Sequence, residues 1–376
     1  MKLHGISRPL GYTAMILCIL VIVAAARDGH YIHIIDRFRG DPFDAAIAHA
    51  TSSVQNDQLD HLMGPATSFA LRPPRQIQGI TDFGVSPAGD LIVVDVATPT
   101  VDVYRSDGTF VNNLGSRGPK SSQYLTPTSV TITKTGYAIA DFTKRRVNLY
   151  SFSGTPQGSF IYTLQNFAAS RLIYFPGSDS YILFGNKRLL DMQGHESITY
   201  LHIYDGTGIY QGSHFTLPDF IARENFSEDD RALVTPLGPD SALMATPYSS
   251  DLLEVNAHGD IICKHPIGFN AARLPGPAPA PNIDEGDLVP FHRWQLSWTP
   301  IVAIASTPHH FLVEYQTFSP LRYTIHVWSK DGSPGSSNYD TNSLLLGSTA
   351  TGSMWFLRNV DNIGAQQYDL IAAHLD

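Results

Sequence analysis

The sequence predicts an all-β fold, a six-bladed β-propeller, and three observations carry the prediction. A short strand, a turn and a glycine are spelled five times: VDVYRSDG at Gly108, VNLYSFSG at Gly154, LHIYDGTG at Gly208, LLEVNAHG at Gly259 and IHVWSKDG at Gly332. The intervals between these glycines are 46, 54, 51 and 73 residues, room for four short strands with variable loops, which is the length of a propeller blade. The composition agrees. With 376 residues, 43% hydrophobic and only 16% charged, and with 17 Tyr, 19 Phe, 30 Gly and 25 Pro, the chain can bury a large core and turn often.

Ahead of the repeats, Pro9 to Ala26 carries no charge, and Ala14 to Ala26 is almost wholly aliphatic. The 18 uncharged residues come close to the about 20 that span a bilayer and exceed the about 7 to 15 of a signal-peptide core. Residues 1–27 therefore read as a transmembrane anchor, with contact to the membrane through 9–26. A cleaved signal peptide is the competing reading, because Ala24, Ala25 and Ala26 offer small residues to a signal peptidase. A first apolar segment with a short basic lead, here Lys2 and Arg8, keeps its N-terminus in the cytoplasm and places the propeller on the periplasmic or extracellular side. The span holds no ionisable residue, so it reads as an anchor rather than a proton path.

Residues 28–68 form a connector. Asp41-Pro42 resembles a helix start, and Phe43, Ile47, Ala50 and Val54 then recur at helical spacing, which predicts one amphipathic helix. That stripe has two readings, packing on the propeller or docking on a neighbouring membrane protein.

The propeller is placed at 69–376. Blade one starts at Ile80, and its second strand, Leu91 to Val94, is a continuous apolar run, as expected of a strand sandwiched between neighbours. Blade two repeats the pattern, with Asp141 standing 46 residues after Asp95 just as Gly154 stands 46 after Gly108. Later blades are expected at about Ser170 to Phe215, Ala232 to Ile267, Pro300 to Tyr339 and Ser343 onward. The last supplies three strands, so Phe69 to Gln78 is expected to add the fourth and clasp the ring shut.

Tyr137 to Asp141, followed by Arg146 to Tyr150 and then Ser153-Gly154, resembles the NHL repeat, in which an Asp closes one strand and an Arg-Val-aromatic strand leads to a glycine turn. Blade one fits without the Arg, and blades three to five keep only strand and glycine. The resemblance implies a six-bladed propeller of the broad NHL/TolB-like kind and no particular activity. Enzymes of that kind hold a metal ion at the ring axis with acidic, Asn or His residues. The corresponding positions here read as Asp82, Ser129, Arg171, Arg231, Thr299 and Asn342, a set with one carboxylate and two guanidinium groups that ill suits a cation.

One insertion breaks the rhythm. Arg273 to Asn282 alternates Pro275, Pro277 and Pro279 with small residues, and the aromatic cluster of Phe291, Trp294 and Trp298 follows. Alternating proline stiffens a segment into an extended arm suited to reaching a partner; the other reading is a long interblade connection packed on blade five. The candidate partner-binding residues are thus Phe43, Ile47, Val54, Pro275, Pro277, Pro279, Trp294 and Trp298.

Sites of chemistry are scarce. There is no P-loop, GxGxxG, HExxH or GxSxG motif. His30 and His33, and the pair His309 and His310, are the closest histidine spacings among 15 histidines; the first pair has no evident carboxylate partner and the second sits in a predicted turn after Pro308. Cys18 and Cys263 read as small hydrophobes without a disulfide between them. A formal charge of -9 with no dense basic run disfavours nucleic acid, and Lys144-Arg145-Arg146 reads as a solvated hairpin turn. No catalytic residue, cofactor or metal is expected. The reading is a noncatalytic, membrane-anchored propeller that serves as an accessory or stabilising subunit for integral membrane proteins, possible hosts being a respiratory or photosynthetic complex. A periplasmic ligand- or peptide-binding propeller and a metal-dependent hydrolase or lyase are the alternatives.

Overall fold

The computed structural model describes Thr67 to His374, apart from 72–76, 191–195, 217–231, 269–300 and scattered positions of one or two residues. The anchor 1–27, nearly all of the connector and the Pro-rich insertion lie outside the described residues. Among the described residues, no helix is long and apolar enough to cross a membrane.

The described chain is a β-propeller. It opens with β1 (Thr67–Ala70). Blade one holds β2 (Ile80–Val85), β3 (Leu91–Asp95), β4 (Thr100–Tyr104) and β5 (Phe110–Asn113), and blade two β6 (Pro127–Ile132), β7 (Gly136–Asp141), β8 (Arg146–Ser151) and β9 (Pro156–Ile161). Blade three holds β10 (Arg171–Phe175), β11 (Ser180–Leu190), β12 (Glu196–Asp205) and β13 (Tyr210–Thr216). Blade four holds β14 (Leu233–Pro236), β15 (Ser241–Ala245), β16 (Asp251–Asn256) and β17 (Ile261–Pro266). Blade five holds β18 (Ile301–Ser306), β19 (His310–Phe318), β20 (Leu321–Ser329) and β21 (Ser336–Thr341). The chain finishes with β22 (Ser343–Ser348), β23 (Ser353–Asn362) and β24 (Ala365–His374).

These strands make six four-stranded antiparallel sheets, five of consecutive strands and one composite, in the order β1-β24-β23-β22. In the composite sheet Thr67 to Ala70 pairs with Ala372 back to Asp369, so a strand from the start of the domain ties down its end. The closing strand therefore lies just upstream of most of the expected stretch, Phe69 to Gln78. Leu71 and Ile77, which follow it, are buried between this sheet and blade one.

Strand alternation explains how the ring is cemented. On β3, Ile92 and Val94 face a cluster shared with blade two, whereas Leu91 and Val93 face a cluster shared with the composite sheet. Both faces are covered, so all five residues of β3 and all six of β7 are buried, and the sequence there is continuously apolar up to its closing Asp. Further clusters join blades two and three, three and four, four and five, and five and the composite sheet. Outer strands bury little and read accordingly: β9 (PQGSFI) and β17 (IICKHP) are mostly exposed.

The repeated glycines set the hairpin between third and fourth strands. Gly108, Gly154, Gly208, Gly259 and Gly332 all have left-handed φ, between 75° and 85°. In the first four, the glycine N–H donates to the residue three before it at 2.9 Å, and the strand register shifts by one residue beside the turn. This is a turn closed by a glycine bulge, a geometry that side chains on an L-residue resist.

Candidate axial site

The innermost strands β2, β6 and β10 bring Asp82, Ser129 and Arg171 together at the ring axis, three of the positions singled out from the sequence. Arg171 Nη1 lies 2.8 Å from Asp82 Oδ1 and also donates to the Thr81 carbonyl at 2.7 Å. The other carboxylate oxygen, Oδ2, accepts from Ser129 Oγ at 2.5 Å and from the Val130 N–H at 2.9 Å. Ser129 Oγ in turn accepts from the Leu172 N–H at 3.0 Å. One aspartate thus links three blades. The side chains of Arg171 and Asp82 are 20% and 16% exposed, so solvent screens the pair only in part.

The tie belongs to a wider pattern in which a side chain of one blade satisfies inner-strand backbone of its neighbour. Thr131 Oγ1 accepts from the Tyr174 N–H at 3.1 Å, Ser348 Oγ from the Ser306 N–H at 3.0 Å, and both oxygens of buried Glu314 from the Leu345 N–H at 3.0 Å. Inner strands of neighbouring blades do not share a ladder, so their backbone groups need such partners.

A cavity of about 40 Å³ sits between the polar side, Asp82 and Arg171, and an apolar side that includes Leu233, Val302, Ala303 and Leu345. Ligand pockets for small molecules are commonly about 300 Å³ or more, so this space suits water rather than a sugar or peptide. Arg231, Thr299 and Asn342 lie outside the described residues, and the described walls of their blades are apolar. Among the described residues, the axis offers a cation one carboxylate, already neutralised by a guanidinium and saturated by three donors. That donor set does not fit a divalent ion, which needs several free oxygen or nitrogen ligands.

The NHL-like aspartates are structural. Asp95 Oδ1 accepts from the Ala97 and Thr98 N–H groups at 3.0 and 3.2 Å. Asp141, fully buried, accepts from the N–H groups of Leu125, Thr126 and Lys144 at 2.8, 3.3 and 3.0 Å, pinning the loop into its blade. Lys144 is not a free surface cation, because its Nζ donates to the Lys120 and Gln123 carbonyls at 2.7 and 2.6 Å.

Among the histidines, His202 is fully buried and burial pushes it down to about 4. Its Nε2–H donates to the Gly185 carbonyl at 3.0 Å, which leaves Nδ1 to accept from Ser213 Oγ at 2.7 Å. The rings of His309 and His310 stand 6.5 Å apart and nearly perpendicular, in a turn where both backbone N–H groups donate to Thr307 Oγ1. His30, His33 and all eight candidate partner-binding residues, Phe43, Ile47, Val54, Pro275, Pro277, Pro279, Trp294 and Trp298, lie outside the described residues. One sequence reading is corrected: Cys263 is exposed on outer strand β17 and is not a buried small hydrophobe. Strand alternation puts it on the same face as His265, a juxtaposition that the sequence reading passed over.

No protein-family model and no curated protein matches the sequence. Solved structures match the fold. A protein of Bacteroides fragilis described as exported is 11% identical, with 84% of this chain and 96% of that chain covered and a TM-score of 0.62. A member of the DUF4221 family from Bacteroides vulgatus is 10% identical, with 84% and 97% covered and a TM-score of 0.56. Virginiamycin B lyase from Staphylococcus aureus is 10% identical, with 82% and 99% covered and a TM-score of 0.47. At these identities the likeness to the two Bacteroides structures establishes the propeller fold alone.

Proposed function

We propose that the chain is a noncatalytic, extracytoplasmic propeller, tethered to the membrane by residues 9–26 and acting as an accessory or stabilising subunit of an integral membrane protein assembly. The observation that carries the reading is the state of the axis. Where enzymes of this architecture would hold a metal, Asp82 is spent on Arg171, Ser129 and Val130, and the remaining space is about 40 Å³. The apolar N-terminal run supports the tether, and the exported description of the Bacteroides fragilis protein accords with an extracytoplasmic propeller. The amphipathic stripe Phe43, Ile47 and Val54 and the arm carrying Pro275, Pro277, Pro279, Trp294 and Trp298 are the surfaces assigned to the partner.

The test is recovery of the native protein from membranes in mild detergent, with intact-mass analysis of the chain. The reading predicts a mass that includes residues 1–26 and a constant set of co-purifying integral membrane proteins. A processed chain, found alone in the soluble extracytoplasmic fraction, overturns it.

A further inference from the structure

Three metal-ligating side chains meet on one face of the outer hairpin of blade four. Glu254 on β16 pairs directly with Cys263 on β17, and His265 lies two residues further along β17, so the pleat points all three side chains the same way. Their ligand atoms all lie within 4.8 Å of one another, and His265 Nε2 is 3.4 Å from Glu254 Oε2. That distance is long for a charge-assisted hydrogen bond. It fits two ligands of one tetrahedral zinc ion, for which bonds of about 2.0 to 2.1 Å place nitrogen and oxygen about 3.3 Å apart.

We infer that Glu254, Cys263 and His265 form a zinc site. The donors suit the ion: one carboxylate oxygen, one imidazole nitrogen and one thiolate are the ligand types that zinc accepts together. As thiolate and carboxylate, they bring two negative charges that a divalent ion neutralises, with release of the thiol proton to solvent. The site is held from behind. The His265 ring packs 4.5 Å from Phe311 of blade five, which itself packs on Trp328. Glu254 and His265 are 19% and 23% exposed whereas Cys263 faces solvent, so three protein ligands close the inner side and water completes the outer one. Lys330 is the neighbouring cation; its Nζ sits 5.1 Å over the Phe311 ring. The ion would clip β16 to β17 in the outer hairpin of blade four, independently of the axial site and of the proposed partner.

The test uses the full-length chain in detergent, stripped with a chelator and titrated with zinc alone. One zinc per chain is expected, with affinity falling roughly 100-fold in Cys263→Ser and in His265→Ala, the scale on which even residues behind the ligands matter. Saturating zinc should also slow alkylation of Cys263, read by peptide mass so that Cys18 does not interfere. This readout needs no variant. Absence of zinc binding, retention of full affinity in both variants, or an alkylation rate at Cys263 indifferent to zinc overturns the site.

Discussion

Buried in blade three, neutral His202 couples stability to pH. Its folded value of about 4 lies below the about 6.5 of an unfolded chain, so between those values the unfolded state binds the extra proton. The associated stability is complete above about pH 6.5 and is lost as pH falls toward 4, in total about 3 kcal/mol. Urea unfolding of wild type and His202→Gln across that window should show a shallower pH dependence in the variant; equal slopes would contradict the assignment. Two glycines separate backbone strain from crowding. A Cβ at Gly332 meets nothing within 4 Å, so Gly332→Ala should cost about 1 kcal/mol from its positive φ. A Cβ at Gly208 would come 2.2 Å from Phe160 Cγ, in the core between blades two and three, so Gly208→Ala should cost about 3 kcal/mol. Thermal melts that rank the two the other way refute this contrast. At the axis, Asp82→Ala strands the Arg171 guanidinium and should cost about 3 kcal/mol, with much of the loss recovered in the double variant with Arg171→Ala.

At the scale of the element, the repeating unit was legible because its turn demands glycine and its second strand is apolar on both faces. VDVYRSDG and VNLYSFSG announce a hairpin, and LIVVD and YAIAD announce a sandwiched strand ended by a buried cap. The cross-blade ties were harder to read. Glu314 lies on β19, a strand that gives no sign of the Leu345 backbone it serves 31 residues later. The outer-hairpin donors were half-visible, since Cys263 and His265 alternate along one strand, but Glu254 joins them only through a register shift that skips Ile262. The closing strand was expected, yet its start at Thr67 was not, because a four-residue strand carries too little periodicity to fix its ends. Removing residues 1–71 strips β24 of its outer partner and leaves the composite sheet with three strands. Such a chain should lose cooperative unfolding and aggregate through the bare edge; a monomeric, cooperative product would show that β1 is dispensable.

For the whole molecule, six interblade clusters close a ring whose core is distributed around the axis, and among the described residues Asp82 ties three blades together at the axis. The surfaces proposed for work with a partner are the segments at its start and in its long insertion. Partner recognition stayed illegible in the sequence for a physical reason: a Pro-rich arm and an amphipathic stripe advertise reach and apolarity but not the shape of what they meet. If the propeller works as part of a membrane assembly, as proposed, the size of the native particle that contains it in a mild-detergent membrane extract shows it. A discrete particle far heavier than the chain itself is expected, holding the chain in fixed ratio with integral membrane proteins. A particle of the chain's own mass in its detergent micelle, with no constant companion, would contradict it.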